Sequence, residues 1–178
     1  MKDLESKNVE YCAYITEHKN NVIKACNKYG DAICNILEIP KKDLEAKCLI
    51  HDESKYSEEE FAPYRDYFYP IGDGKPTEAA KEKMNCGWLH HQNVNPHHPE
   101  YWVLADNYLG SPYIQSLPMT NIAIAEMLCD WIAMGMKFNS NPYAWFISKK
   151  KYYLHIMNSE TFKKVEDITT TLWKDDHK

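Results

Sequence analysis

Histidines and aspartates able to share a metal ion are strung along this chain in a set order. His18 comes first, then the doublet His51-Asp52, then His90-His91, His97-His98 and finally Asp130; six of the eight histidines fall in this series. Imidazole and carboxylate together are the usual ligands of mononuclear and dinuclear transition-metal sites. A mixed nitrogen and oxygen set of this kind suits Mn, Fe, Co or Zn better than Mg or Ca. One or two divalent transition-metal ions are therefore the expected cofactor.

Spacing narrows the ligands. His18 shares an inward helix face with Val22, one turn on. Four histidines fall within the nine residues 90–98. His91 is favoured over His90, because it lies on the helix face of Met84 and Trp88; of His97 and His98, one or both could ligate. Asp130 sits amid Ile122, Ile124, Met127, Leu128, Ile132 and Met134. A carboxylate there is costly to bury unpaired and needs a cation. Glu126, one turn earlier, is a candidate partner for a ligand. Lys55, four residues after His51, and Arg65, the only arginine, are the charges that could meet a phosphate oxygen.

The elements that must position these residues read as helical almost throughout. Tyr11, Ile15, His18, Val22 and Cys26 recur at three- and four-residue spacing and mark one helix face, with Gly30 as its stop. Ile33, Ile36 and Leu37 suggest a short second helix before Pro40. Leu44, Cys48 and His51 share a face of the next helix, with Asp52 adjacent and about 100° away. Ser57 to Glu60 forms a capping box for a helix through Phe68. A turn-rich loop covers Pro70 to Pro76. Thr77 caps a helix through His91, broken at Asn95-Pro96. The stretch from Tyr101 to Leu117 reads as loop or irregular helix. An apolar helix follows Pro118, a segment starts at Asn141-Pro142, and Ser159 caps a last helix. The expectation is one all-α domain over residues 1–178, with the metal site between helices.

Composition sets the outer bounds. The 178 residues, 44% hydrophobic and 26% charged, suffice for a core. A net charge of −5 argues against duplex nucleic acid as a partner. No apolar run approaches the about 18 residues that cross a bilayer, and no leader-like segment opens the chain, so the expectation is a cytoplasmic protein that does not engage membranes. The six cysteines include no CxxC pair and read as free buried thiols rather than metal ligands. Tyr56, Tyr64, Tyr67, Tyr101 and Trp102 flank the ligands and could stack a nucleobase, although packing is the commoner use of such rings.

The ordered array resembles the HD superfamily of metal-dependent phosphohydrolases. The carriers are EHKNNV at residues 17–22, the doublet His51-Asp52, the histidine-rich segment and EMLCDW at 126–131. The resemblance implies a metal set of His18, His51, Asp52, His91, His97, His98 and Asp130, with Asp52 able to bridge two ions. It implies a fold of HD type and hydrolysis of a nucleotide or other phosphoester by an activated water, with Asp52 and Lys55 in catalytic roles; Arg65 is added as a catalytic candidate by its charge. Lys55 matches the HDxxK pattern of the HD-GYP phosphodiesterases; their Gly-Tyr-Pro element is absent, so their cyclic-dinucleotide substrate does not carry over. The same array also resembles that of HD-type di-iron oxygenases acting on small polar substrates. A third reading is a non-catalytic nucleotide-binding protein. The blocks EHKNNV, HDESKYSEEEF, HHQNVNPHHPEYW and EMLCDW together resemble a small uncharacterised family of bacterial and phage proteins, which implies the site rather than a substrate.

Overall fold

A computed structural model describes residues 3–70, 74–106 and 113–177. Part of the turn-rich loop after Pro70, residues 71–73, and part of the Tyr101–Leu117 stretch, residues 107–112, lie outside the described residues. Seven α-helices dominate, so the all-α expectation holds. They are α1 (Leu4–Leu37), α2 (Lys41–Leu49), α3 (Phe61–Phe68), α4 (Glu78–Val94), α5 (Asn121–Phe138), α6 (Pro142–Ile156) and α7 (Ser159–Trp173). No helix among the described residues is long and apolar enough to cross a membrane.

α1 differs from the sequence reading. It runs unbroken through Gly30 for 34 residues and absorbs the expected second helix. It ends at Glu38, whose φ of 54° and amide bond to the Cys34 carbonyl reverse the chain before Pro40. Gly30 is buried within the helix instead of stopping it, and a Cβ there would make ordinary contacts, 3.6 Å from Leu44 Cδ2 on α2. A mid-helix glycine costs roughly 0.5–1 kcal/mol relative to alanine, which the packing of α1 outweighs.

α1 packs most extensively on α5 and next on α2, while α6 and α7 pair with each other. A large apolar cluster unites α1, α2, α5, α6 and α7 around Val22, Ile33, Leu44, Ile124, Leu128, Phe146 and Ile168. A smaller one, Tyr11, Ile15 and Tyr64 with Phe61 and Met84 against it, joins the start of α1 to α3 and α4. On α1, Ile15 belongs to the small cluster and Val22 to the large one. His18 lies between them, at the seam.

The remaining departures are local. After α2 the chain makes a turn and a 3₁₀ segment, Glu53–Tyr56, in place of a longer helix. α3 starts at Phe61, and the Ser57 hydroxyl has no hydrogen-bond partner, so the capping box does not form. Thr77 does cap α4 through Ala80 N, at 3.1 Å. Beyond Val94 come a 3₁₀ turn, Pro99–Trp102, and a short antiparallel hairpin of β1 (Val103–Asp106) with β2 (Tyr113–Ser116). Asn158, one residue before the expected Ser159, caps α7.

Candidate metal centre

Four segments deliver the polar residues to the seam. α1 carries His18, the turn after α2 carries His51 and Asp52, α4 and the turn beyond it carry His91, His97 and His98, and α5 carries Glu126 and Asp130. His51 and Asp52 are not on a helix. Asp52 has φ 57°, in the left-handed region, where aspartate is among the few residues tolerated. That turn aims both side chains of the doublet inward; both are buried. A regular helix would splay them apart.

Asp52 is the hinge of the cluster. Its Oδ2 lies 3.5 Å from His18 Nε2 and 3.5 Å from His51 Nε2. Its Oδ1 lies 3.4 Å from His91 Nε2 and 3.5 Å from His97 Nε2. Asp130 Oδ1 completes the first side, 3.1 Å from His18 Nε2 and 3.7 Å from His51 Nε2. His98 joins the second. Donor atoms of His18, His51 and Asp130 lie within 4.8 Å of one another, as do those of Asp52, His91, His97 and His98. Thus the structure brings His18, His51, Asp52, His91, His97, His98 and Asp130 to one place. This buried donor set can hold a metal ion.

Two atoms test the fit of an ion. Asp52 Oδ1 and His97 Nε2 are buried without a hydrogen-bond partner. Buried polar atoms are rarely left so, because each orphan costs about 1–3 kcal/mol. The Nε2 atoms of His18 and His51 face each other at 3.3 Å. Both observations suit a cation between these atoms.

A ring of outer partners fixes the imidazoles. His51 Nδ1 donates to Glu126 Oε1 at 3.0 Å, and His97 Nδ1 approaches the same oxygen at 3.3 Å. A carboxylate only accepts, so Nδ1 keeps its proton toward Glu126, and Nε2 offers its lone pair to the cluster once an ion replaces the proton there. Glu126 thus takes the partner role that sequence reasoning gave it. Glu60 was missed: it is fully buried, accepts from His91 Nδ1 at 2.8 Å and from His90 Nδ1 at 2.8 Å. The capping-box pattern hid it. The signal available was a third consecutive glutamate directly before an aromatic helix, with no way to tell which of the three turns inward. Gly87 enables the contact, since a Cβ there would lie 3.2 Å from the Glu59 carbonyl oxygen and 3.2 Å from Pro63 Cβ. His90 therefore bonds outward to Glu60, while His91 faces Asp52, as the helix face indicated.

Protonation follows from this crowding. Burial works to lower the His51 pKa, but Asp52, Asp130 and Glu126 outweigh it and hold it at about 10. Burial likewise opposes ionisation of Asp52 and Asp130, and the surrounding imidazoles, with Lys55 for Asp52, hold both carboxyls well below the usual range. Burial and the neighbouring His97 and His91 push His98 well below the ordinary histidine value, which leaves it neutral and able to ligate.

Lys55 is buried and its Nζ lies 2.6 Å from Asp52 Oδ2. It comes from the 3₁₀ turn rather than from a helix face shared with His51. The Tyr14 ring stacks on His18 with centroids 6.4 Å apart, and Lys137 Nζ stands 4.1 Å from the Tyr14 centroid. Tyr14, His18, Asn21, Met134 and Lys137 line a cleft that reaches His18 between α1 and α5. The structure does not bring Arg65 to the cluster. Its guanidinium is held by Asp66 at 2.7–2.8 Å and by Asn8 Oδ1 at 2.9 Å. Asn8 lies ten residues before His18 on α1, roughly 15 Å along the axis.

Comparison with known proteins gives a family and no close relative. No curated protein and no solved structure matches the chain. The buried cluster is compatible with an HD-like metal centre, but no HD-domain family matches. The match covers residues 7–171, nearly the whole chain and all of the cluster: the protein belongs to the family described as "Family of unknown function (DUF5662)".

Proposed function

We propose that the protein is a metal-dependent phosphohydrolase of HD type, acting on a nucleotide or another small phosphoester. The observation that supports it best is Asp52, a buried carboxylate with one oxygen toward His18 and His51 and the other toward His91 and His97. Such a shared carboxylate suits two ions side by side. Bound divalent ions would lower the pKa of a water and polarise a phosphoryl oxygen. His18, His51 and Asp130 would hold one position; His91, His97 and His98 the other; Asp52 both.

The remaining residues handle substrate. The narrow cleft beside His18 is lined by Glu17 and Lys137, and the Lys137 ammonium would meet an incoming anion at its mouth. Lys55, paired with Asp52, would steady charge that develops on the phosphate during transfer. The Tyr14 ring lies between the two ammonium groups, its centroid 6.0 Å from Lys55 Nζ and 4.1 Å from Lys137 Nζ. Arg65 has no part in this reading, because its partners lie elsewhere.

The test is metal-free protein reloaded in turn with Mn²⁺, Co²⁺, Fe²⁺ and Zn²⁺, assayed for phosphate release from mononucleotides, cyclic nucleotides and simple phosphomonoesters. Activity that needs the added ion and vanishes in Asp52→Asn is the expected result. Loaded protein that releases no phosphate from any class, yet consumes dioxygen with iron bound, would move the assignment to the oxygenase reading.

A further inference from the structure

We propose that Cys26, Cys48 and Cys129 form a second metal site, a three-sulfur cradle for one monovalent copper ion. This inference is independent of the hydrolase reading. The three residues come from three different helices, α1, α2 and α5, and their sulfurs lie within 4.8 Å of one another. All are buried, at 2% exposure or less. Of the other cysteines, Cys34 is buried but outside this group, Cys12 is half-buried and Cys86 is exposed. Spacing along the chain gives no hint of the convergence; only the packing of α2 against α1 creates it.

Donor type and number select the ion. An all-sulfur set favours soft ions, Cu(I) and Zn among them. A structural zinc site is almost always closed by four ligands, and the convergent group here has three. Three-coordinate sulfur suits Cu(I), which binds as thiol protons leave to solvent. The three helices of the trio also lead into the first site, with separate donors: Cys26 and His18 on α1, Cys48 on α2 with His51 in the turn after it, and Cys129 and Asp130 on α5. Hard and borderline divalent ions sort to the nitrogen and oxygen cluster, and soft monovalent copper to the sulfurs.

The experiment uses the full, reduced chain under anaerobic conditions, titrated with Cu(I) held by a chromophoric chelator, with X-ray absorption on the loaded protein. One Cu(I) per chain with only sulfur in its shell is the expected result. The His51→Ala/Asp52→Ala variant and the Cys12→Ser/Cys86→Ser variant should keep it, and Cys48→Ala should lose it to the chelator. Failure of the wild-type chain to withdraw copper, nitrogen or oxygen donors in the shell, or full retention in Cys48→Ala would each overturn the site. Should Cys48→Ala fail to fold, the wild-type shell decides alone.

Discussion

Removing Glu126 tests the centre without touching a residue that would contact an ion. One oxygen of Glu126 meets Nδ1 of His51 at 3.0 Å and Nδ1 of His97 at 3.3 Å. These two histidines serve opposite sides of Asp52. Loss of a carboxylate that orients a metal-binding imidazole weakens affinity typically by about 10–100-fold, or about 1.4–2.7 kcal/mol. Because one carboxylate holds a histidine from each side, Glu126→Ala should weaken both positions, toward the upper end of that range. Glu126→Gln keeps an oxygen acceptor and loses the charge, so it should sit near the lower end. The assay is competition of metal-free protein against a chromophoric chelator for Zn²⁺ or Co²⁺, resolved into two binding steps, with melts of the metal-free variants alongside. Weakening of both steps in a chain that still folds is the expected outcome. If Glu126→Ala folds and binds both ions as tightly as the natural chain, Glu126 does not orient His51 and His97.

Other perturbations separate the parts of the site. Glu60→Gln, which touches His91 and not the His18 side, should weaken one ion position and spare the other, read as two resolved affinities in the same chelator assay. Asp130→Asn should weaken metal binding with the fold intact by thermal melt, since its partners are His18 and His51 and not a lysine. Lys55→Ala should keep its full ion content by elemental analysis while turnover falls on the order of 10²-fold, the usual loss for a preorganised charged donor. The pH dependence has a defined sign. His51, raised to about 10, stabilises metal-free protein fully below its unfolded value of about 6.5 and less as pH climbs toward 10. An ion competes with that proton, so the gap in Tm between loaded and metal-free protein should widen from pH 6 to pH 9; a constant gap would contradict the protonation assigned to His51.

The helical class and most of the residues that converge on the cluster were legible because periodicity and residue type report them directly. His18, His91 and Asp130 sit on inward helix faces that the three- and four-residue spacing marks. The errors arose where tertiary contact overrides a local signal. Gly30 looks like a stop and is a buried position inside α1. Ser57 to Glu60 looks like a capping box, yet Glu60 bonds two histidines from another helix, about 30 residues on. The doublet His51-Asp52 looks like a helix continuation, and the left-handed φ of Asp52 has no one-residue signature. Arg65 was singled out by charge alone, and charge does not say that Asn8 and Asp66 hold it. The cysteine trio spans three helices and over a hundred residues, beyond the reach of any spacing rule.

Asp52 Oδ2 has two suitors: the ion that His18 and His51 would share, and the ammonium of Lys55, 2.6 Å away. Small metal-dependent domains often unfold when stripped, since binding the metal supplies much of their folding free energy. Here a resident cation neutralises the central carboxylate beforehand, and the proton on His51 does the same for its neighbours. Loading the centre is then an exchange of one set of positive charges for another, carried out in a scaffold already assembled. A chelator should empty such a centre reversibly, leaving a folded chain that refills on contact with metal.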